Sequence, residues 1–159
     1  MIRATFCDAR NAVLAVSQRD GAPVVTANEG CDCERSSSKL RIFIVDDLEK
    51  FRTSFRFVLT AYGHDVKEAP HPEDAFDRLI SKDEEFDLIF IDVQMEGKDG
   101  ISLYQDLRSA GVEIPIVLMS ALPQNRLRVE ALGVPFFDKA LDEGSLQDIL
   151  ERYGGGQAQ

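Results

Sequence analysis

From Lys39 onward, short apolar runs alternate with longer segments whose apolar residues recur at helical spacing. The runs predict strands at 40–45, 65–69, 86–91, 114–119 and 134–137. Between the first two, Phe51, Phe55, Val58, Leu59 and Tyr62 mark a helix over 49–62 that Gly63 stops. Pro72 and Glu73 open a second helix, buried through Ala75, Phe76, Leu79 and Ile80. Gly97, Lys98 and Asp99 turn into Gly100, and Leu103, Tyr104 and Leu107 bury a third helix over 101–110. A fourth helix, around 125–132, leads through Gly133 into the last strand, and Ser145 is placed to cap a fifth that ends near Tyr153. The run 86–91, broken only by Asp87, has the character of a strand buried on both faces. Strands alternating with helices in this way predict an α/β fold, a parallel sheet covered on both sides.

Residues 1–38 lack that rhythm. They are mildly apolar from Ala12 to Val16, punctuated by Gly21, Pro23, Asn28 and Gly30, and end in the linker-like Ser36-Ser37-Ser38. The reading is a flexible extension over 1–38, a folded domain over 39–153 and a disordered tail over 154–159. Cys7, Cys31 and Cys33 do not make a zinc site by spacing, and neither His64 nor His71 lies near them in the chain. Three cysteines give no disulfide framework either, so a reducing cytoplasm is expected.

Charge narrows the partners. A net charge of −10 argues against nucleic acid or an anionic membrane, both of which call for a basic face. No apolar run approaches the ~18 residues of a membrane span. Near the amino terminus Asp8 and Arg10 interrupt any secretory signal.

The candidate chemistry lies at the strand ends. Asp46 and Asp47 follow the first strand, Asp92 the third, Ser120 the fourth and Lys139 the fifth. Parallel strands share a direction, so these side chains converge on the carboxyl edge of the sheet, where open α/β sheets keep their ligands. Carboxylates packed together repel unless a cation intervenes. Mg²⁺ fits best, because it prefers hard oxygen ligands, binds through one or two carboxylates and keeps exchangeable waters. With Lys139 as a second cation and Ser120 as a hydroxyl donor, the set is suited to phosphoryl transfer onto a carboxylate. Taken singly, the same residues have plainer readings. Asp46-Asp47 suits a helix cap, a lone Asp or Ser after a strand suits a turn, Lys139 suits a surface charge and Phe136-Phe137 suits core.

In order and placement the segments IFIVDD, IDVQMEGKDG, VLMSA and FFDK resemble the receiver domains of two-component response regulators, over about 39–153. The resemblance implies a flavodoxin-like, doubly wound, five-stranded parallel sheet of order 2-1-3-4-5. It also implies roles by position. Asp92 is the phosphoacceptor; Asp47 and Asp92 ligate Mg²⁺ directly, Asp46 does so through water, and Gln94 adds its main-chain carbonyl. Ser120 contacts the phosphoryl group, Lys139 pairs with it, and Phe136 holds the aromatic switch position. The implied partners are a sensor histidine kinase or histidine phosphotransferase upstream. Downstream, an unknown protein would meet the face of the fourth helix, fifth strand and fifth helix.

Some positions depart from the family pattern. Ala140 stands where a proline in a cis bond usually follows the lysine, so a trans or rearranged loop is expected. Glu96 replaces another usual proline, and the short stretch from Ser120 to Lys139 suggests a clipped fourth helix. Only twenty residues follow Lys139, so a stand-alone receiver acting through protein contact, not as an enzyme, is the expectation. Two alternatives stay open: a receiver-like scaffold that works without phosphorylation, and a Mg²⁺-dependent phosphatase with an aspartyl nucleophile. The phosphatase needs a second aspartate two residues after the first, where this chain has Gln94.

Overall fold

The computed structural model describes residues 6–8, 12–19, 22–27, 39–140 and 143–154. Two units emerge, 1–36 and 37–159. In the first, β1 (Phe6–Asp8), β2 (Ala12–Arg19) and β3 (Ala22–Ala27) pair in sequence as an antiparallel sheet, with Val16 opposite Val25. Cys7 lies in β1, whereas Cys31 and Cys33 fall outside the described residues.

The second unit is built on β4 (Arg41–Val45), β5 (Asp65–Ala69), β6 (Leu88–Asp92), β7 (Ile116–Ser120) and β8 (Phe136–Asp138). All pair in parallel, in the order β5-β4-β6-β7-β8, which is 2-1-3-4-5 when the five are numbered alone. Between and after them run α1 (Glu49–Ala61), α2 (Pro72–Ser81), α3 (Gly100–Ser109), α4 (Pro123–Glu130) and α5 (Glu143–Gly154). Alternate strand residues point to opposite faces. Phe43, Val45, Ile89, Ile91 and Leu118 meet Leu79 of α2, Leu103 and Leu107 of α3 and Val129 of α4. Ile42, Ile44, Leu88, Phe90 and Met119 meet Phe55 and Leu59 of α1 and Leu146 and Leu150 of α5. The sheet is therefore doubly wound, and β6 and β7 are buried along their whole length.

Several boundaries differ from the sequence reading for local reasons. β6 starts at Leu88, because Asp87 turns aside to take the Arg41 amide and guanidinium. Strands β7 and β8 begin after Pro115 and Pro135, which have no N–H to give the ladder; their carbonyls accept from Ile89 and Leu118. α4 begins at Pro123, where a fixed φ suits the first helical position, two residues before the expected start. α5 begins at Glu143, so Ser145 lies inside its first turn and is not the cap. At its other end Gly154 is still helical.

The register then levels the strand ends. Val45 is opposite Ile91, Asp92 opposite Met119 and Ser120 opposite Asp138, so Asp46, Asp92, Ser120 and Lys139 leave the sheet within one layer. Gly100 tightens that layer from below. A Cβ there would stand 1.9 Å from the Asp92 carbonyl oxygen, so only glycine lets α3 start so close to the end of β6.

Candidate functional site

Each acid at the strand ends is fixed first by a backbone amide. Asp46 Oδ1 accepts from Leu48 N at 2.8 Å and Asp92 Oδ1 from Gln94 N at 3.1 Å. Asp47 Oδ2 accepts from Glu96 N at 2.9 Å, which ties the loop after β4 to the loop after β6. Carboxylate oxygens of all three aspartates come within 4.8 Å of one another.

Lys139 enters from the end of β8, its backbone held by a bond from its N–H to the Ser120 carbonyl. Its ammonium lies 2.5 Å from Asp46 Oδ2 and 2.7 Å from Asp92 Oδ2, and 4.6 Å from the centre of the Phe51 ring. No cis bond occurs among the described residues; the turn at Ala140 is instead held by its N–H donating to Asp138 Oδ1. The expected trans loop is what the fold contains.

The electrostatics favour a further cation. Three carboxylates face one ammonium, an excess of two negative charges in a place where Asp46 is fully buried and Asp92 nearly so. Burial drives the Asp92 carboxyl above its ordinary range, against the pull of Lys139 and the Gln94 amide, with Asp46 adding to the rise. Asp46 Oδ2, although beside the ammonium, receives no well-directed hydrogen bond. A buried carboxylate oxygen without a directed donor, grouped with two other acids, is the donor set a small hard dication takes. Asp46, Asp47 and Asp92 therefore fit a magnesium ion. Gln94 sits on the adjoining loop with its side chain exposed.

Ser120, at the tip of β7, is buried with its Oγ turned towards α4. It accepts from Leu122 N at 3.1 Å and from Asn125 Nδ2 at 3.0 Å. Phe136 is half-buried, with the Arg126 guanidinium 4.8 Å over its ring, and Phe137 beside it is core.

The sequence reading did not single out three residues that build this site. Arg52 is buried and donates to the Asp46 carbonyl at 2.6 Å, Phe51 faces the lysine, and Asn125 holds the serine. In the sequence Phe51 is one of the apolar residues at helical spacing in α1, whereas Arg52 and Asn125 are polar helix residues that nothing in their own character marks as buried. Only the helical spacing of Arg52 beside Phe55 and Leu59 hints at burial.

Comparison with known proteins places this geometry. The family model described as response regulator receiver domain matches residues 42–151. The transcriptional regulatory protein ZraR of Salmonella typhimurium is 33% identical over 117 residues, which are 72% of this chain and 26% of that protein. The chain likewise spans 48% of the sensory transduction protein LytT of Bacillus subtilis and 14% of a gliding motility regulatory protein of Myxococcus xanthus. Among solved structures, response regulator TrrA of Thermotoga maritima in complex with Mg²⁺-BeF aligns with a TM-score of 0.64 at 22% identity, covering 71% of this chain and 97% of that one. A Pseudomonas aeruginosa sensor histidine kinase receiver domain, with a magnesium ion coordinated in its active site cleft, aligns with a TM-score of 0.64 at 23% identity. That match covers 75% of this chain and all of the other. At such identity the structures establish the fold, and the family match establishes membership: this chain belongs to the response-regulator receiver domains of two-component signalling.

Proposed function

We propose that Asp92 accepts a phosphoryl group from a histidine kinase or histidine phosphotransferase and that the phosphorylated domain signals by protein contact. The observation that carries this reading is the Lys139 ammonium lying between Asp46 and Asp92 in a buried acid pocket. In the transfer, an Asp92 oxygen forms the new P–O bond as the P–N bond to the donor imidazole breaks. The imidazole leaves with the electron pair and takes up a proton. Lys139 then pairs with a phosphoryl oxygen, and Ser120 donates its hydroxyl proton to another. Asp46, Asp47, Asp92 and the Gln94 main-chain carbonyl would hold magnesium, which supplies neutralisation of the phosphoryl charge. Receiver domains are signalling modules, and self-hydrolysis of the acyl phosphate is the only turnover in this reading.

The readout follows from the same side chains. As Ser120 turns to the phosphoryl group, Phe136 moves into the space it leaves, and the surface of α4, β8 and α5 changes for a protein partner. Partners are proteins and not nucleic acid or membrane, in keeping with the net charge of −10, and the site of action is the cytoplasm. No helix among the described residues is long and apolar enough to cross a membrane. Leu122, two residues after Ser120, has an apolar side chain that offers a hydrolytic water no hydrogen bond, so the phosphorylated form should last longer than seconds.

The test is incubation of the full chain with a small phosphoramidate and Mg²⁺, read by intact mass. One phosphoryl group should appear on the wild-type chain and none on Asp92→Asn or after chelation. Equal labelling of Asp92→Asn, or an unlabelled wild type, overturns the reading, and the second outcome favours the scaffold.

A further inference from the structure

Ser120 is committed before any phosphoryl group arrives. Both hydrogen bonds that its Oγ accepts come from the segment leading into α4, from Leu122 N and from the Asn125 side-chain amide. Among the described residues Ser120 Oγ has no bond to Asp92 or Lys139. Asn125 is only 4% exposed, on a helix whose other buried residue is Val129. A buried amide in such a place is held for its hydrogen bonds, because an unpaired one is costly. Its other end is held as well. Asn125 Oδ1 accepts from Arg128 Nη1 at 3.2 Å, and Arg128 Nη2 donates to Asp99 Oδ2 at 2.8 Å. Asp99 is the residue whose Oδ1 caps α3, directly before the Gly100 that packs on Asp92. A continuous polar chain thus runs from the hydroxyl at the pocket through α4 to the start of α3.

We propose that Asn125 is a positioning residue that holds the Ser120 hydroxyl towards α4 and so opposes its engagement with a phosphoryl group on Asp92, with Arg128 and Asp99 bracing Asn125. This rests on the phosphoacceptor reading above and adds to it a built-in brake. When Ser120 turns to the phosphoryl oxygen, Asn125 loses its acceptor, and the brace to α3 loses its purpose. α4 is then released by the same event that fills the pocket, and no separate signal to the helix is needed. Removing the amide should lower the barrier by about one neutral hydrogen bond, roughly a fivefold change in rate.

The experiment is a double-mutant cycle on the full chain. The uptake rate with a small phosphoramidate and Mg²⁺ is compared in wild type, Asn125→Ala, Ser120→Ala and the double variant. Asn125→Ala should gain roughly fivefold over wild type and gain nothing when Ser120 is already alanine. A residue that merely stabilises α4 would act alike in both backgrounds, and that result overturns the proposal, as does an Asn125→Ala rate at or below wild type. An unlabelled wild-type chain removes the phosphoacceptor reading and this proposal together, whereas a labelled wild type with an indifferent Asn125→Ala removes this proposal alone. If Asn125→Ala shows no cooperative melting transition, Arg128→Ala decides. That side chain is half-exposed, and its loss slackens the brace, so a smaller gain supports the brake and none overturns it.

Discussion

Helix α1 buries Arg52, Phe55 and Leu59 and presses Phe55 into a cluster of rings with Phe51, Phe90 and Phe137, at centroid distances of 5.1–5.5 Å. Helix α4, which borders the same pocket, is the shortest of the five and buries only Asn125 and Val129. Its remaining attachments are polar: Asn125 to Ser120, Arg128 to Asp99, and Arg126 over Phe136 with its guanidinium 4.0 Å from Asp138. Apolar burial cannot be exchanged for another contact without exposing surface, whereas a hydrogen bond can be traded for a new one at little net cost. The contrast separates a fixed wall, which carries Asp46 and Asp47 at its entrance, from a wall that can let go.

The largest test compares the two walls by truncation. Phe55→Ala should cost about 3–5 kcal/mol in denaturant unfolding, as for other large buried aromatics. Val129→Ala should cost roughly 1.5 kcal/mol, the transfer value of the two carbons removed. Equal losses would mean that α4 is as firmly seated as α1, and the contrast would be gone.

Magnesium provides the next test, because two of the acids that would hold it, Asp46 and Asp47, lie at the entrance of the fixed wall. At a hundredfold excess over its dissociation constant the ion should stabilise the fold by about 2.7 kcal/mol. The rise in melting temperature should vanish in Asp47→Asn, while amide exchange in α4 should be unchanged by the ion alone. Loosening of α4 by magnesium without phosphoryl would break the division of labour.

How much of this could be read beforehand depends on the kind of contact. Asp46, Asp92 and Ser120 were legible because each directly follows an apolar run, and Lys139 because it comes one residue later, while parallel strands leave no freedom about which edge receives them. The strand starts were less legible. Phe86 extends an apolar run without being in a strand; it serves from the loop, stacked on Phe43 at 4.7 Å. Pro115 and Pro135 postpone pairing by a residue or two for lack of an N–H. Least legible were Asn125 and Arg52, polar residues on helices, since periodicity reports which face is apolar and not which polar group is folded inward to serve a strand end. Phe51 marks the apolar spacing of α1 and packs against its core, yet no pattern in the chain says that its ring faces the Lys139 ammonium.

That ring gives a smaller test on the fixed side. A cation over an aromatic face contributes about 0.5–2 kcal/mol, more when desolvated, and the Lys139 side chain is only 6% exposed. Phe51→Leu keeps apolar volume and removes the ring, so the ammonium should sit less firmly between Asp46 and Asp92. Phosphoryl uptake should slow a few-fold while Phe51→Tyr stays near wild type. A Phe51→Leu rate equal to wild type would make the ring packing alone.

The smallest effect lies at the far end of α1, where the fixed wall is fastened a second time. Gly63, at φ +90°, ends the helix and returns the chain so that His64 N donates to the Leu59 carbonyl and the buried His64 Nδ1 accepts from Leu40 N at 3.2 Å. An imidazole can accept there only when neutral, and burial lowers its pKa from the ordinary 6.5. The unfolded chain therefore takes up the proton first as pH falls. The contribution of neutral His64 is complete above about 6.5 and shrinks as the pH drops below it towards the folded value. Asp92 works in the opposite sense, since a carboxyl raised by burial favours the folded state on acidification. The quantity to measure is accordingly the difference in unfolding free energy between wild type and His64→Leu, at neutral pH and again near pH 5. That difference should narrow at the lower pH. If it stays constant, the imidazole does not change its protonation on unfolding in this range, and the second fastening of α1 depends on packing and not on the Leu40 hydrogen bond.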